Sequence, residues 1–347
     1  MRSISYRQAL NEAMVQEMEA DPRVFVYGID VADHKRIFGS TKGLVERFGE
    51  ERCFCTPLSE DAMTGFGLGA AINGMRPIHI HMRVDFLLLA MNQLANMVSS
   101  YRYSTGGTVD VPFVVRAIIG RGWGQSFQHS KSMFSSFAHI PGLKVVLPTT
   151  PADAGGLLLS AIKDENPVIF IEHRWLYDVV DTVDDAAEPI PLGVGNVLRR
   201  GDDLTLIATS WMNVEALKAA EILEDRHGVS VEVLDPRTIS PLDDELIFRS
   251  VDKTGQCIVA DNDWTYCGFS AELSARVSEL CFDRLKSPVH RIGYAFTPCP
   301  SARHLENSFY PNAIDIIRAV ESKLALSEAD LSSEDFYSYE RKFKGPF

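Results

Sequence analysis

The chain has 347 residues, 46% hydrophobic and 23% charged, with a formal net charge of −13 at pH 7. That balance is typical of a soluble globular protein, and the length suits two domains of ordinary size. The negative charge argues against nucleic acid, whose phosphates need a basic surface. No run approaches the roughly 20 apolar residues that span a bilayer.

Met1 to Arg7 leads into a charged helical pattern without an apolar signal core, so a cytoplasmic protein is expected, an organelle matrix being left open. Residues 4–20 read as an amphipathic helix, with Ala9, Leu10, Ala13 and Met14 at helical spacing. Val24 to Gly28 reads as a short buried strand, Lys42 to Phe48 as a helix closed by Gly49, and Cys53 to Cys55 as a strand. Next comes Thr56-Pro57-Leu58-Ser59-Glu60-Asp61, opening a helix that carries Gly65, Gly67 and Gly69. Each interior glycine costs about 1 kcal/mol against alanine. Three of them predict that the backbone closely approaches another helix or a flat ligand.

Arg76 to Arg83 alternates, with Ile78, Ile80 and Met82 on one face and His79, His81 and Arg83 on the other. That is a strand with one polar or ligand-facing side. Asp85-Phe86 precedes a long predicted helix from Leu87 to about Tyr103, ended by Gly106-Gly107. Val111 to Ile119 is a near-continuous apolar strand, as in the middle of a parallel sheet. A glycine loop, Gly120 to Gln125, leads to Gln128-His129-Ser130. Leu143–Leu147 and Val168–Glu172 read as strands around a helix at Ala152–Lys163.

The acidic, proline-bearing stretch Asp178 to Pro191 reads as an interdomain linker. Beyond it, strands at Leu204–Ala208, Val229–Leu234, Gln256–Asp261 and Val289–Ile292 alternate with helices at Trp211–His227, Leu242–Val251, Gly268–Leu280 and Asn312–Leu324. Strand and helix alternate throughout, so the fold class is α/β with mostly parallel sheets. The expected division is a first domain over 1–178, a linker over 179–191, a smaller α/β domain over 192–326 and a tail over 327–347. The acidic tail, Ser327 to Asp335, is expected to fray or to pack on a partner.

Two residues stand out for chemistry. Glu60 reads either as a first-turn acid complementing the helix dipole behind an Ser59 N-cap, or as a proton-sharing acid in an apolar, glycine-lined site, where desolvation favours its protonated form. His129 is either a loop histidine satisfied by backbone, or an acid, base or orienting donor near a substrate carboxylate. Phe86, ordinarily core, also suits a platform for a flat ring. His79 and His81 fit strand positions packed beside neighbours. The six cysteines contain no C-x-x-C pair and read as buried free thiols, Cys53 and Cys55 on one face of their strand. No nucleotide-binding glycine-lysine loop or nucleophile-elbow motif is present.

These residues, with Gly69 to Pro77, His139 to Val146, Ala161 to Val168, Ile190 to Gly193 and Arg237 to Asp243, resemble one family almost end to end. It is the β subunit of the thiamine-diphosphate-dependent first component of 2-oxoacid dehydrogenase complexes, which pyruvate, branched-chain 2-oxoacid and acetoin dehydrogenases share. The resemblance implies a pyrimidine-binding parallel-sheet domain followed by a C-terminal domain like that of transketolase. It makes Glu60 the acid that bonds the aminopyrimidine of thiamine diphosphate, with Leu58 and Phe86 also on the cofactor. It puts His129 near the substrate and the incoming lipoyl group. It assigns Phe113, Ala161, Ile162, Asp164 and Asn166 to a potassium ion, mostly through backbone carbonyls. The diphosphate and its magnesium are held elsewhere in the family, by a G-D-G motif of the α subunit. Only Gly201-Asp202-Asp203 comes near that motif here.

The resemblance therefore implies half of an active site, inactive alone, in an assembly of two α and two β chains. It also implies a 2-oxoacid substrate and a lipoyl-bearing acyltransferase partner. Departures at Arg83, at Ile118 to Trp123 and at Pro300 to Tyr310 leave two alternatives open. One is half of a non-oxidative transketolase-like or carboligase enzyme of a specialised biosynthetic pathway; the other is a non-catalytic assembly subunit.

Overall fold

A computed structural model gives the structure of the chain and describes residues 1–120 and 125–336. Arg121 to Gly124 of the glycine loop and the tail beyond residue 336 lie outside the described residues. Contacts divide the chain into two compact units. The first comprises 1–120, 131–193 and 238–241; the second takes the remainder, including 125–130.

The first unit opens with β1 (Arg2–Ser5), absent from the sequence reading, and α1 (Tyr6–Ala20). Ser5 starts α1 through a reciprocal capping box with Gln8. There follow β2 (Val24–Gly28), α2 (Leu44–Phe48), β3 (Cys53–Cys55), α3 (Glu60–Ile72) and β4 (Arg76–His81). The single long helix expected from Leu87 to Tyr103 is instead broken. It runs as α4 (Val84–Leu87), a 3₁₀ turn at Leu88–Ala90, a π-helical turn at Gln93–Val98 and α5 (Tyr101–Ser104). At its end the Ser99 hydroxyl donates back to the Ala95 carbonyl at 2.8 Å, a bond that bends helices. The unit continues through β5 (Val114–Ile119), α6 (Phe134–Ala138), β6 (Lys144–Val146), α7 (Pro151–Lys163), β7 (Val168–His173) and β8 (Val180–Val183).

The second unit holds β9 (Asn196–Arg199), β10 (Leu204–Ala208), α8 (Trp211–His227) and β11 (Val231–Asp235). The next strand, β12 (Thr238–Ser240), returns to the first unit's sheet. Then come α9 (Asp244–Thr254), β13 (Cys257–Trp264), α10 (Phe269–Cys281), β14 (His290–Tyr294), α11 (Arg303–Glu306) and α12 (Ala313–Lys323).

The first sheet has the order β12-β6-β7-β5-β4-β2-β3, parallel except for β12. The second has the order β14-β13-β10-β11-β9, parallel except for β9. The expected linker contains β8, which pairs antiparallel with β1 in a small sheet of its own. The acidic tail does not fray over its described length. Leu326, Leu331 and Phe336 pack on the second unit's own core, and Arg226 pairs with Glu334 at 2.7 Å.

The apolar run of β5 conceals a charge. Arg116 is fully buried and donates to both Glu172 oxygens, at 2.5 and 2.8 Å, while the Tyr177 hydroxyl donates to the same carboxylate. A buried pair of this kind persists only because each lone pair and proton is matched. Among the described residues no helix is long and apolar enough to cross a membrane. All six cysteines are free, but Cys55 and Cys267 are exposed rather than buried.

Candidate active site

Glu60 is the first residue of α3 and is half-buried. Ser59 stands at the N-cap without a side-chain bond to the helix, and Glu60 and Asp61 both lie in the first turn, where they complement the helix dipole. Asp61, the next acid, accepts from Gln93 Nε2 at 3.2 Å and ties α3 to the π-helical turn beside it.

The three glycines of α3 divide by role. At Gly67 an added Cβ would stand 2.7 Å from Phe113 Cε2 and closer still to the Tyr27 hydroxyl. At Gly65 it would lie 3.4 Å from Gln93 Oε1. At Gly69 it would meet nothing within 4 Å. Close approach to the sheet therefore explains Gly67, whereas Gly69 faces open space in the chain by itself.

Beneath α3 lies an aromatic stack. The Tyr27 hydroxyl donates to the Met63 carbonyl at 2.9 Å. The Tyr27 ring lies on His79, centroids 4.4 Å apart and planes within 8°. His79 Nδ1 and His81 Nε2 are 3.2 Å apart. Both rings are buried, and burial pushes the His81 pKa down to about 3 and that of His79 well below its ordinary value. The two histidines on the polar face of β4 are thus packed inside the unit, beneath α3.

On the outer side, α3 and its flanks expose Leu58 at 81%, Phe66 at 46%, Phe86 at 37%, Leu89 at 62% and Met97 at 44%. Isolated apolar side chains on a surface mean little, but five on α3, on its approach and on the segment that includes the turns packed against it make these elements a candidate binding surface. Leu58 and Phe86, both expected on the cofactor, are among them.

Sequence reasoning missed the support around Phe86. The Asp85 side chain is 5% exposed and pairs with Lys131 at 3.0 Å. Burial raises the Asp85 pKa, and the Lys131 ammonium opposes the shift. Arg83, also buried, donates from Nη1 to the Gly120 carbonyl at 2.7 Å. Partners so far apart in sequence leave no local pattern.

His129 belongs to the second unit, in the segment 125–130, and is half-buried after a 3₁₀ turn at Ser126–Gln128. The same unit's C-terminal stretch bears on that segment. The Tyr310 hydroxyl donates to the Ser130 carbonyl at 3.4 Å, and the Ser301 hydroxyl donates to Ser126 Oγ at 2.8 Å. Two of the divergent residues at Pro300 to Tyr310 therefore hold the segment on either side of the histidine.

The residues expected around potassium occupy the last turn of α7, the loop from it to β7 and the chain entering β5. The carbonyls of Ile162 and Asp164 converge on one cationic atom, Arg76 Nη1, at 2.9 and 3.3 Å. Phe113 O accepts from Val168 N at 2.9 Å, and the Asp164 carboxylate accepts from the backbone and side chain of Asn166. The loop is thus shaped to present carbonyls to positive charge, and a guanidinium already takes two of them. Ala161 O accepts from Asp164 N at 3.4 Å.

Gly201 to Asp203 is a structural turn. Asp203 Oδ2 accepts from Ser230 N at 2.8 Å, and Lys253 Nζ donates to the Gly201 carbonyl at 2.6 Å. Among the described residues no group of three or more His, Cys, Asp or Glu side chains is placed to hold a metal ion.

Comparisons with known proteins bear on the family and the fold. Residues 2–179 match the family described as the transketolase pyrimidine-binding domain, and residues 193–316 match the transketolase C-terminal domain. The β subunit of acetoin:2,6-dichlorophenolindophenol oxidoreductase from Cupriavidus necator is 39% identical, over 93% of this chain and 98% of that protein. The pyruvate dehydrogenase E1 component β subunit from Rickettsia bellii is 39% identical, over 92% and 98%. The 2-oxoisovalerate dehydrogenase β subunit from Bacillus subtilis is 41% identical, over 94% and 99%. A solved structure titled split gene transketolase, inactive beta4 tetramer, superposes with a TM-score of 0.75 over 94% of this chain and 99% of its own, at 23% identity. That last likeness speaks for the fold alone.

Proposed function

The chain belongs to the family of β subunits of the thiamine-diphosphate-dependent first component of 2-oxoacid dehydrogenases, and from that premise we propose that it supplies the proton-handling half of a site completed by an α-type partner. The observation that carries this reading is the half-buried Glu60 at the head of α3, together with exposed Leu58, Phe66, Phe86, Leu89 and Met97 on that helix and its neighbouring segments. A second chain laid over that surface would bury the apolar side chains and dry the acid.

Thiamine diphosphate would supply, when bound, a nucleophilic carbon and an electron sink for the decarboxylation of a 2-oxoacid. Glu60 would hold the proton shared with the aminopyrimidine nitrogen. Phe86 would offer a ring face to the pyrimidine, and Leu58 would be a further apolar contact for the cofactor. His129 would donate to the substrate or to the acceptor. The diphosphate and its magnesium ion fall to the α partner, because Gly201 to Asp203 is spent on a turn. A potassium ion would sit among the carbonyls of Phe113, Ala161, Ile162, Asp164 and Asn166, sharing two of them with Arg76. The acceptor in this reading is the lipoyl group of an acyltransferase, and the assembly is two α with two β chains.

The test is co-expression with the α-type partner, followed by thiamine-diphosphate-dependent decarboxylation over a panel of 2-oxoacids. Turnover that needs both chains and the cofactor is expected. A stable complex that turns over none of them would overturn the reading.

A further inference from the structure

We infer that His79 and His81 are positioning residues: a neutral, hydrogen-bonded pair that, acting through Tyr27, fixes the first turn of α3 and with it Glu60. The consequence for catalysis rests on the proposed role of Glu60; the mechanical claim about α3 does not.

The argument follows contacts from the strand to the helix. Glu60 and Met63 share the first turn of α3. That turn is held from below by the Tyr27 hydroxyl, bonded at 2.9 Å to the Met63 carbonyl. Tyr27 in turn rests flat on His79, 4.4 Å away and within 8° of parallel, and Phe113 continues the parallel stack beyond His79 at 6.5 Å. Nothing in the stacking alone stops the His79 ring from turning about its own plane. The bond to His81 at 3.2 Å does so, because it fixes one ring nitrogen. Gly67 lets the helix settle onto this platform, as no side chain fits above Tyr27 and Phe113.

The contact between the two rings has one proton in it. One nitrogen donates and the other accepts, and a proton added to the acceptor turns attraction into repulsion. Among the described residues no carboxylate contributes to the shift of either ring. Tyr27 of β2 and Phe113, just before β5, lie parallel to His79; the β5 residues paired with the two histidines are Val115 and Ala117; the nearest cation along the chain, Arg83, is buried and gives Nη1 to the Gly120 carbonyl; and the acids of α3 are confined to Glu60 and Asp61. Burial alone depresses His81; for His79 burial comes first and its neighbour second. The sign follows directly. A histidine whose folded pKa is lowered contributes stability that is full above the unfolded value near 6.5 and is lost as pH falls below it. The support under Glu60 therefore weakens on the acid side of neutrality, as local opening of α3 takes up protons.

The experiment is hydrogen exchange of the amides at residues 63–67 in the full chain from pH 5 to 8, corrected for intrinsic rates. In His81→Phe those amides are expected to exchange about five-fold faster at pH 7.5, the effect of one lost hydrogen bond. His81→Gln, which keeps an acceptor and a donor without titrating, restores the protection at pH 7.5 and makes its loss toward pH 5 shallower than in the wild type. Wild-type protection in His81→Phe, or the same acid dependence in all three proteins, would overturn the inference. Failure of the Glu60 reading shows separately, as wild-type cofactor proton exchange in Glu60→Gln with the amide results unchanged.

Discussion

The Tyr27 hydroxyl lies directly beneath Gly67, so close that a methyl group on the glycine would overlap it. The two glycines Gly67 and Gly69, two positions apart, therefore give opposite predictions. Gly67→Ala forces α3 off its platform and is expected to destabilise the chain by about 1–3 kcal/mol, the usual cost of overpacking. Gly69→Ala adds a methyl where nothing lies within 4 Å and gains up to about 1 kcal/mol of helix propensity. Chemical denaturation of the isolated chain measures both. If the open space above Gly69 is where a partner's backbone approaches, the same Gly69→Ala chain will bind the α-type subunit more weakly although it is itself more stable.

Glu60→Gln separates chemistry from architecture. The side chain caps no helix and forms no ion pair among the described residues, so the variant is expected to fold and assemble as the wild type does. Glutamine keeps the shape but cannot share the proton, so exchange of the cofactor's reactive C–H should slow by two orders of magnitude or more, about the size of a general acid–base contribution. Proton exchange followed by NMR in the assembled complex is the measurement. Wild-type exchange would remove Glu60 from its assigned role.

The exposed apolar surface beside Glu60 yields a third test. Leu89 is 62% exposed and Met97 44% exposed, both on the helical segment that packs against α3. Leu89→Lys should leave the thermal midpoint of the isolated chain within a degree or two, since surface changes rarely exceed about 0.5 kcal/mol. It should weaken association with the α-type partner at least ten-fold, because a lysine there would be buried without a counter-charge. Titration calorimetry or analytical ultracentrifugation reads the difference. Undiminished assembly would place the partner on another face.

Much of the fold could be read along the chain because the central parallel strands are apolar runs and the helices between them keep their period. Leu204–Ala208 and Trp211–His227 have the same bounds in sequence and structure. What escaped were pieces whose order comes from distant partners. β1 and β8 are short, polar at alternate positions and stable only against each other. β12 joins β6 across nearly a hundred residues. The helix after Phe86 looked continuous because its composition favours helix, and composition does not reveal a π-helical turn. At the site, the motif marked Glu60, yet the stack of Tyr27, His79 and His81 that holds it is assembled from two strands and was read only as neighbours packed on a sheet. Asp85 and Lys131, 46 residues apart, gave no signal at all.

The second unit provides a pH test independent of the site. Asp261, at the C-terminal half of β13, is fully buried, and burial first and the charge of Asp263 second push its pKa up to about 7. Bonds from the Thr209 hydroxyl at 3.1 Å and Ser270 N at 3.3 Å favour the anion but do not outweigh burial. The folded chain therefore binds more protons than the unfolded chain between pH 4 and pH 7, and stability contributed by this group falls as pH rises through that window. Asp261→Asn keeps the shape, cannot ionise, and should raise the melting temperature more at pH 8 than at pH 5. Differential scanning calorimetry at the two values decides. An equal shift at both would mean that the carboxyl titrates alike in the folded and unfolded chain, and that the charge is offset locally by groups other than Thr209 and Ser270.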